Sequence, residues 1–257
     1  METSPFFTII TASLNMGVSV QRTLESIRNQ TFKELEHIVI DGGSTDNTLE
    51  VIRAFEGTYN LTSVSEPDTG IADALNKGLK LATGTYVLII QADDCLYDLR
   101  SLEKVHALLK DEKVDVYSFP VIMSLPDNGK ITLKPVKLKW WNRFKFIFFH
   151  QGTFVHKRVY EDIGDFRTEF EIAMDYDFFY RALIKKPAVA FGNFPVAEMS
   201  GEGIGTRSKF IPKRLKEEAL VQKLNEKNSF WRFAQFFFRF FYIPYKTQFI
   251  PLFKGSK

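Results

Sequence analysis

The sequence predicts an α/β fold in which a mostly parallel sheet is flanked by helices, and three observations lead there. Short β-branched and aromatic runs alternate with helical stretches over the first hundred positions, the pattern of strands joined by crossover helices. The run Tyr86 to Ile90 is almost entirely apolar, as expected of a central strand covered on both faces. Polar or acidic residues close each of the first four strands, at Asn15, Asp41, Asp68 and Asp93-Asp94.

Taken in order, Phe6 to Thr11 reads as a buried strand. Ser19 is placed to cap a helix whose Val20, Leu24 and Ile27 keep i, i+4, i+7 spacing. Leu35 to Ile40 is the second strand and ends in Asp41-Gly42-Gly43. Asn47, with Glu50 three residues on, reads as the cap of the next helix. A third strand near Leu61 to Ser65 precedes Glu66-Pro67-Asp68-Thr69-Gly70, and Ile71, Leu75, Leu79 and Ala82 then share one helical stripe. In the second half, Val114 to Met123 and Lys130 to Val136 flank Asp127-Asn128-Gly129, a hairpin signal. Helices are expected over roughly Asp175 to Lys185 and Lys209 to Asn225, with Gly201, Gly203 and Gly205 punctuating the loop between them.

The 257 residues suit one large domain with an appendage. A net charge of +3 is too small to argue for nucleic acid. The single Cys95 excludes an internal disulfide and fits a reducing compartment. The amino terminus lacks the basic segment of a signal peptide, and no run of about 20 apolar residues appears. The expected location is therefore the cytoplasm, with no membrane-spanning helix.

In an open parallel sheet a ligand sits beyond the carboxyl ends of the strands. Two adjacent carboxylates there, Asp93 and Asp94, repel one another unless a cation or strong donors compensate. Magnesium and manganese are held by such carboxylates together with substrate phosphates. Six segments in order, Ile9 to Asn15, Arg28 to Phe32, Asp41 to Asp46, Ser65 to Ile71, Asn76 to Gly78 and Ala92 to Asp94, resemble glycosyltransferase family 2. The likeness is to its bacterial polysaccharide branch and covers roughly residues 4 to 225.

This resemblance implies a GT-A (Rossmann-like) fold and inverting transfer from a nucleoside-diphosphate sugar, with UDP as the nucleotide and Mn2+ or Mg2+ as cofactor. Residues 1–98 would form the nucleotide-sugar half and 99–225 the acceptor half. It implies donor contacts for Thr11, Asn15, Asp41, Asp68, Asp93 and His150, and metal ligation by Asp94. Asp175 falls on the family's base position, with Met174 in place of the usual Glu; Asp177 is a second carboxylate there, set to pair with Arg181 four residues on. His150 lies in Phe149-His150-Gln151-Gly152, which also resembles a family segment.

Residues 226–257 form a separate unit rich in Phe and basic side chains. On a helical wheel Ser229, Arg232, Gln235 and Arg239 share one narrow face, and aromatics occupy the rest. Such a helix reads as an interfacial anchor on anionic lipid, and Trp140-Trp141 has the same character. Packing on the domain or on a second subunit would cover the same surface. An enzyme at the inner face of the bacterial membrane implies a polyprenyl-diphosphate-linked saccharide as acceptor. Two other readings stay open. A sugar nucleotidyltransferase would have a glycine-rich loop after the first strand, where none precedes Gly17. A non-catalytic scaffold would have no need of Asp93, Asp94 and Asp175, all of which are present.

Overall fold

A computed structural model describes residues 4–111, 113–125, 128–136, 143–144, 148–201 and 208–245. The first half runs β1 (Phe7–Ser13), α1 (Gly17–Arg28), β2 (Leu35–Asp41), α2 (Thr48–Arg53), β3 (Leu61–Ser65), α3 (Ile71–Leu81) and β4 (Tyr86–Ile89). The second half adds β5 (Cys95–Leu96), α4 (Ser101–Leu109), β6 (Val116–Ser118), β7 (Val121–Ser124), β8 (Lys130–Leu133), β9 (Thr153–His156), α5 (Lys157–Ile163) and α6 (Met174–Ile184). Then come β10 (Val189–Phe191), β11 (Ala197–Ser200), α7 (Ile211–Asn225) and α8 (Ser229–Pro244).

Seven strands form the main sheet in the order β10-β6-β9-β4-β1-β2-β3. All neighbouring pairs are parallel except those that β9 makes with β4 and β6. The sheet is therefore mostly parallel, as expected. Period-2 alternation divides the core between its faces. Ile10 and Ile38 join Leu75, Phe178 and Phe179 on one side; Phe7 and Ile9 join Ile27, Leu102 and Phe119 on the other. A second sheet, β5-β11-β7-β8, packs beside it.

Several local expectations change. The run from Val114 to Met123 is two strands in two sheets, because Pro120 lacks the N–H a continuous strand requires. α1 starts at Gly17, so Ser19 lies inside its first turn and donates to the Met16 carbonyl at 3.2 Å. A Cβ at Gly17 would stand 1.9 Å from Asn47 Oδ1, so only glycine lets the starts of α1 and α2 meet this closely. Asn47 makes no capping bond with its side chain. Instead Asp46 accepts from the Thr48 N–H at 3.0 Å and the Gly17 N–H at 3.3 Å, and one carboxylate serves both helix starts. The β7–β8 hairpin forms, with Asn128 in the left-handed region at φ 61°. Its Pro126 and Asp127 lie outside the described residues, as do Trp140, Trp141, the segment 202–207 and the tail from 246 onward.

α8 is held by its polar stripe. The Gln235 amide donates to Tyr180 Oη at 2.9 Å and to the Arg143 carbonyl at 3.0 Å. Arg239 Nε donates to Gln222 Oε1 at 2.8 Å, and its Nη1 to the Leu215 carbonyl at 3.1 Å. Gln235 and Arg239 thus turn onto α6 and α7, while Ser229 and Arg232 stay exposed and Phe230, Phe233, Phe236, Phe237, Phe240 and Phe241 stand 49–69% exposed. Among the described residues no helix is long and apolar enough to cross a membrane.

Candidate active site

The parallel strands bring their carboxyl ends to one rim. Ser13 pairs with Asp41 across β1 and β2, and Asp41 with Ser65 across β2 and β3. β4 lies on the other side of β1, so the turn carrying Asp93 and Asp94 opens beside Ser13, about 5 Å per strand spacing away. Because β9 runs antiparallel, its amino end reaches the same rim and delivers His150 and Gln151. Asp175, in the first turn of α6, completes the group through His150.

Asp41 is buried, and its carboxylate is occupied locally. It accepts from the Gly43 and Ser44 N–H groups at 3.1 and 2.9 Å, from Ser65 Oγ at 2.7 Å and from Ser44 Oγ at 2.5 Å. It shapes the turn that Asn15 braces from the other side, where Asn15 Oδ1 accepts from the Thr45 N–H at 2.9 Å. Asp68 Oδ1 accepts from the Gly70 N–H at 2.8 Å ahead of α3. Its Oδ2 lies 2.4 Å from where a Cβ on Gly42 would be, so the glycine admits the Asp68 carboxylate to the Asp41 turn. Lys77 ties the same loop down through Glu66 at 2.8 Å and the Pro67 carbonyl at 2.9 Å.

Asp94 is 3% exposed, with both oxygens engaged. Gln151 Nε2 donates to one at 2.9 Å and the Ser200 N–H to the other at 3.0 Å. Burial first, and the neighbouring Asp93 second, push its carboxyl up to about 6 against the opposing pull of His150 and these donors. Asp93 is half-buried beside it. His150 Nδ1 faces Asp175 Oδ2 at 3.4 Å. Burial would lower this imidazole, but the Asp175 hydrogen bond and the charges of Asp175, Asp94 and Asp93 carry it above its ordinary value.

Among the described residues, two buried polar atoms on this rim have no hydrogen-bond partner, His150 Nε2 and Ser13 Oγ. Such groups are uncommon and point to an external partner. Ser13 was not singled out from the sequence, where a small hydroxyl at a strand end carries no signal of its own. Among the described residues no cluster of three or more His, Cys, Asp or Glu is set to hold a metal. Two adjacent carboxylates do fit an ion that draws its remaining ligands from substrate phosphates and water.

Asp175 accepts from the Tyr176 N–H at 2.7 Å and remains partly exposed. Met174 points into the core. The start of α6 is fixed by Glu217 of α7, which accepts from the Ile172 and Ala173 N–H groups, both at 2.9 Å. Asp177 is fully buried between Arg167 at 3.1 Å, Arg181 at 2.8 Å and Asn225 at 2.9 Å. The Arg181 pairing is as expected, and it removes Asp177 from the rim as an alternative base.

Thr11 lies elsewhere than its expected donor contact: it is fully buried, two residues inside the strand end. Its hydroxyl donates to the Ile90 carbonyl at 2.6 Å and so accepts from His37 Nε2 at 2.9 Å. His37 Nδ1 then accepts from Tyr59 Oη at 2.7 Å. Burial holds the His37 imidazole neutral, down from 6.5 to about 3. The stability this group contributes is complete above pH 6.5 and is lost as pH falls toward 3, because the unfolded chain binds the proton first. We expect up to about 5 kcal/mol of acid destabilisation across that window. Urea unfolding of His37→Gln should show a shallower pH dependence than the parent; equal slopes would contradict the assignment.

The family model "Glycosyl transferase family 2" matches residues 8–167, and the chain belongs to this family. It is a glycosyltransferase by class. A PGL/p-HBAD biosynthesis glycosyltransferase of Mycobacterium bovis (strain BCG / Pasteur 1173P2) is 29% identical over 184 residues, 68% of either chain. Solved structures share the fold. S. aureus TarS 1-349 superposes with a TM-score of 0.72 at 20% identity, covering 95% of this chain and 74% of that one. Its complex with UDP-GlcNAc gives 0.70 at 20% identity, over 89% and 69%. The mannosyltransferase PcManGT from Pyrobaculum calidifontis, in complex with GDP-Man and Mn2+, gives 0.70 at 20% identity, over 96% and 73%.

Proposed function

We propose that the protein transfers a sugar from a nucleoside-diphosphate donor, with UDP as the nucleotide, to a hydroxyl of a lipid-linked saccharide, inverting the anomeric carbon. The observation that carries this reading is the pair of partnerless buried atoms, Ser13 Oγ and His150 Nε2, on the rim that also bears Asp41, Asp68, Asp93 and Asp94. An anionic, oxygen-rich ligand would satisfy both atoms. TarS with UDP-GlcNAc and PcManGT with GDP-Man and Mn2+ share the fold and support the donor class.

In this reading the Asp41 turn, Asn15 and Asp68 take the nucleoside, and His150 donates from Nε2 to the diphosphate. Asp94 would hold Mn2+ or Mg2+ with Asp93 beside it, the Gln151 amide and the Ser200 N–H orienting the Asp94 carboxylate. Such an ion, when bound, neutralises the charge that develops on the departing diphosphate. Asp175 takes the proton of the acceptor hydroxyl as its oxygen bonds to the anomeric carbon. The bond from that carbon to the diphosphate breaks on the opposite face, its electron pair leaving with the nucleoside diphosphate.

The exposed Phe face of α8 would lay the protein on the inner face of the bacterial membrane, where a polyprenyl-diphosphate-linked acceptor is presented. The site is tested by thermal shift with UDP-, GDP- and dTDP-sugars, with and without Mn2+. A ligand that binds only the folded state raises Tm through linkage, by about 2–4 °C per kcal/mol for a chain of this size. We expect a UDP-sugar to do so in Mn2+, and turnover to release UDP. No response to any nucleotide-sugar, or diphosphate release from a nucleoside triphosphate, would overturn the proposal.

A further inference from the structure

α7 and α8 enclose an open groove of about 960 Å³ that lies outside the sheet-end site. This is at the upper end of the range for small-molecule pockets. Its apolar wall includes Ala219 of α7 with Phe236 and Phe240 of α8, and three cations, Lys223, Arg232 and Arg239, also line it. No acidic side chain belongs to the described lining. Arg239 is 8% exposed and ion-paired with Glu218, whose Oε2 lies 3.9 Å from Nη2; among the described residues that nitrogen has no hydrogen-bond partner. A buried guanidinium nitrogen left in this state is costly unless an acceptor arrives.

The occupant that matches an apolar trough lined by three cations, with Glu218 as a counter-ion to Arg239 alone and no acidic side chain in the described lining, is an anionic amphiphile. A second copy packing through the same aromatic helix does not supply it, because residues 229–245 contain no Asp or Glu. Residues 246–257 do not supply it either, having three Lys and no Asp or Glu. Position adds a second argument. Glu217, which fixes the start of the Asp175 helix, is on α7 only about 9 Å of helix axis from Lys223. One helix therefore supports the acceptor side of the reaction and walls the groove.

We propose that this groove takes the hydrocarbon chain of a phosphate-bearing polyprenyl lipid, the carrier of the acceptor sugar, with Lys223, Arg232 and Arg239 meeting its phosphate. This rests on the lipid-linked acceptor reading above and gives it a specific place.

The test uses the full chain and phosphatidylcholine nanodiscs containing either polyprenyl phosphate or the same charge as phosphatidylglycerol. The parent should bind the polyprenyl phosphate discs at least tenfold more tightly. Ala219→Trp, which fills the groove from α7, should abolish that preference while keeping the donor-induced rise in Tm. If Ala219→Trp also loses the donor response, it is misfolded, and Arg232→Glu decides by the same readout. Retained preference in a folded variant overturns the groove. Equal binding of the parent to both charged discs also removes the groove but leaves membrane association standing. A parent that binds neither disc takes the lipid-acceptor reading down as well.

Discussion

Asp175→Asn is expected to lower kcat by about 10²–10⁴-fold, the range for losing a positioned general base, with donor affinity unchanged. The amide is isosteric and keeps an oxygen for the Tyr176 N–H, so the start of α6 should hold. It cannot take the acceptor's proton. His150 would lose a charged partner at 3.4 Å, so its raised pKa should move back toward the ordinary range. NMR titration of His150 then provides a readout independent of turnover. Wild-type kcat in Asp175→Asn would place the base elsewhere. Asp177 is not a ready substitute, because its carboxylate is enclosed by Arg167, Arg181 and Asn225.

The triple substitution of Phe230, Phe233 and Phe237 by Ser should release the protein from anionic vesicles, with a fall in partitioning of at least 10³-fold. Full burial of one such side chain is worth roughly 1.5–3 kcal/mol, and about 1.4 kcal/mol is a factor of ten. The three rings are 69, 63 and 49% exposed, none lines the α7–α8 groove, and the polar stripe that docks the helix is untouched. Circular dichroism should therefore be unchanged. Cosedimentation with phosphatidylcholine–phosphatidylglycerol vesicles measures the effect, and parent-like pelleting would refute the aromatic face as the anchor. Cutting the chain at 228 is a poorer test, since it would also strip Tyr180 and Gln222 of their partners on α8.

The sheet and its acidic rim were legible because strand-helix alternation forces successive strands parallel, and parallel strands deliver their ends to one edge. The depth of a residue below that edge was not legible. Thr11 and Ser13 share a strand and a parity, yet two residues of rise, roughly 7 Å, separate a core hydroxyl from one at the rim. Partners remote in sequence were hidden too. Glu217 reads as an ordinary exposed helix residue until it is seen holding the amide groups before Asp175. Gln235 and Arg239 were visible as a stripe, but nothing local says whether a stripe meets water or protein. Pro120 did carry a usable signal, since a proline inside an apolar run argues against one continuous strand.

The reversed strand β9 has a mechanical consequence. It is bonded to β4, which leads to Asp93 and Asp94, and to β6, which pairs in turn with β10. The turn carrying Asp93 and Asp94 and the segment carrying His150 and Gln151 therefore flank neighbouring strands of one hydrogen-bonded sheet. On the proposed reading, variants with altered acceptor preference should map to side chains and connecting segments at the rim and leave this strand pairing unchanged.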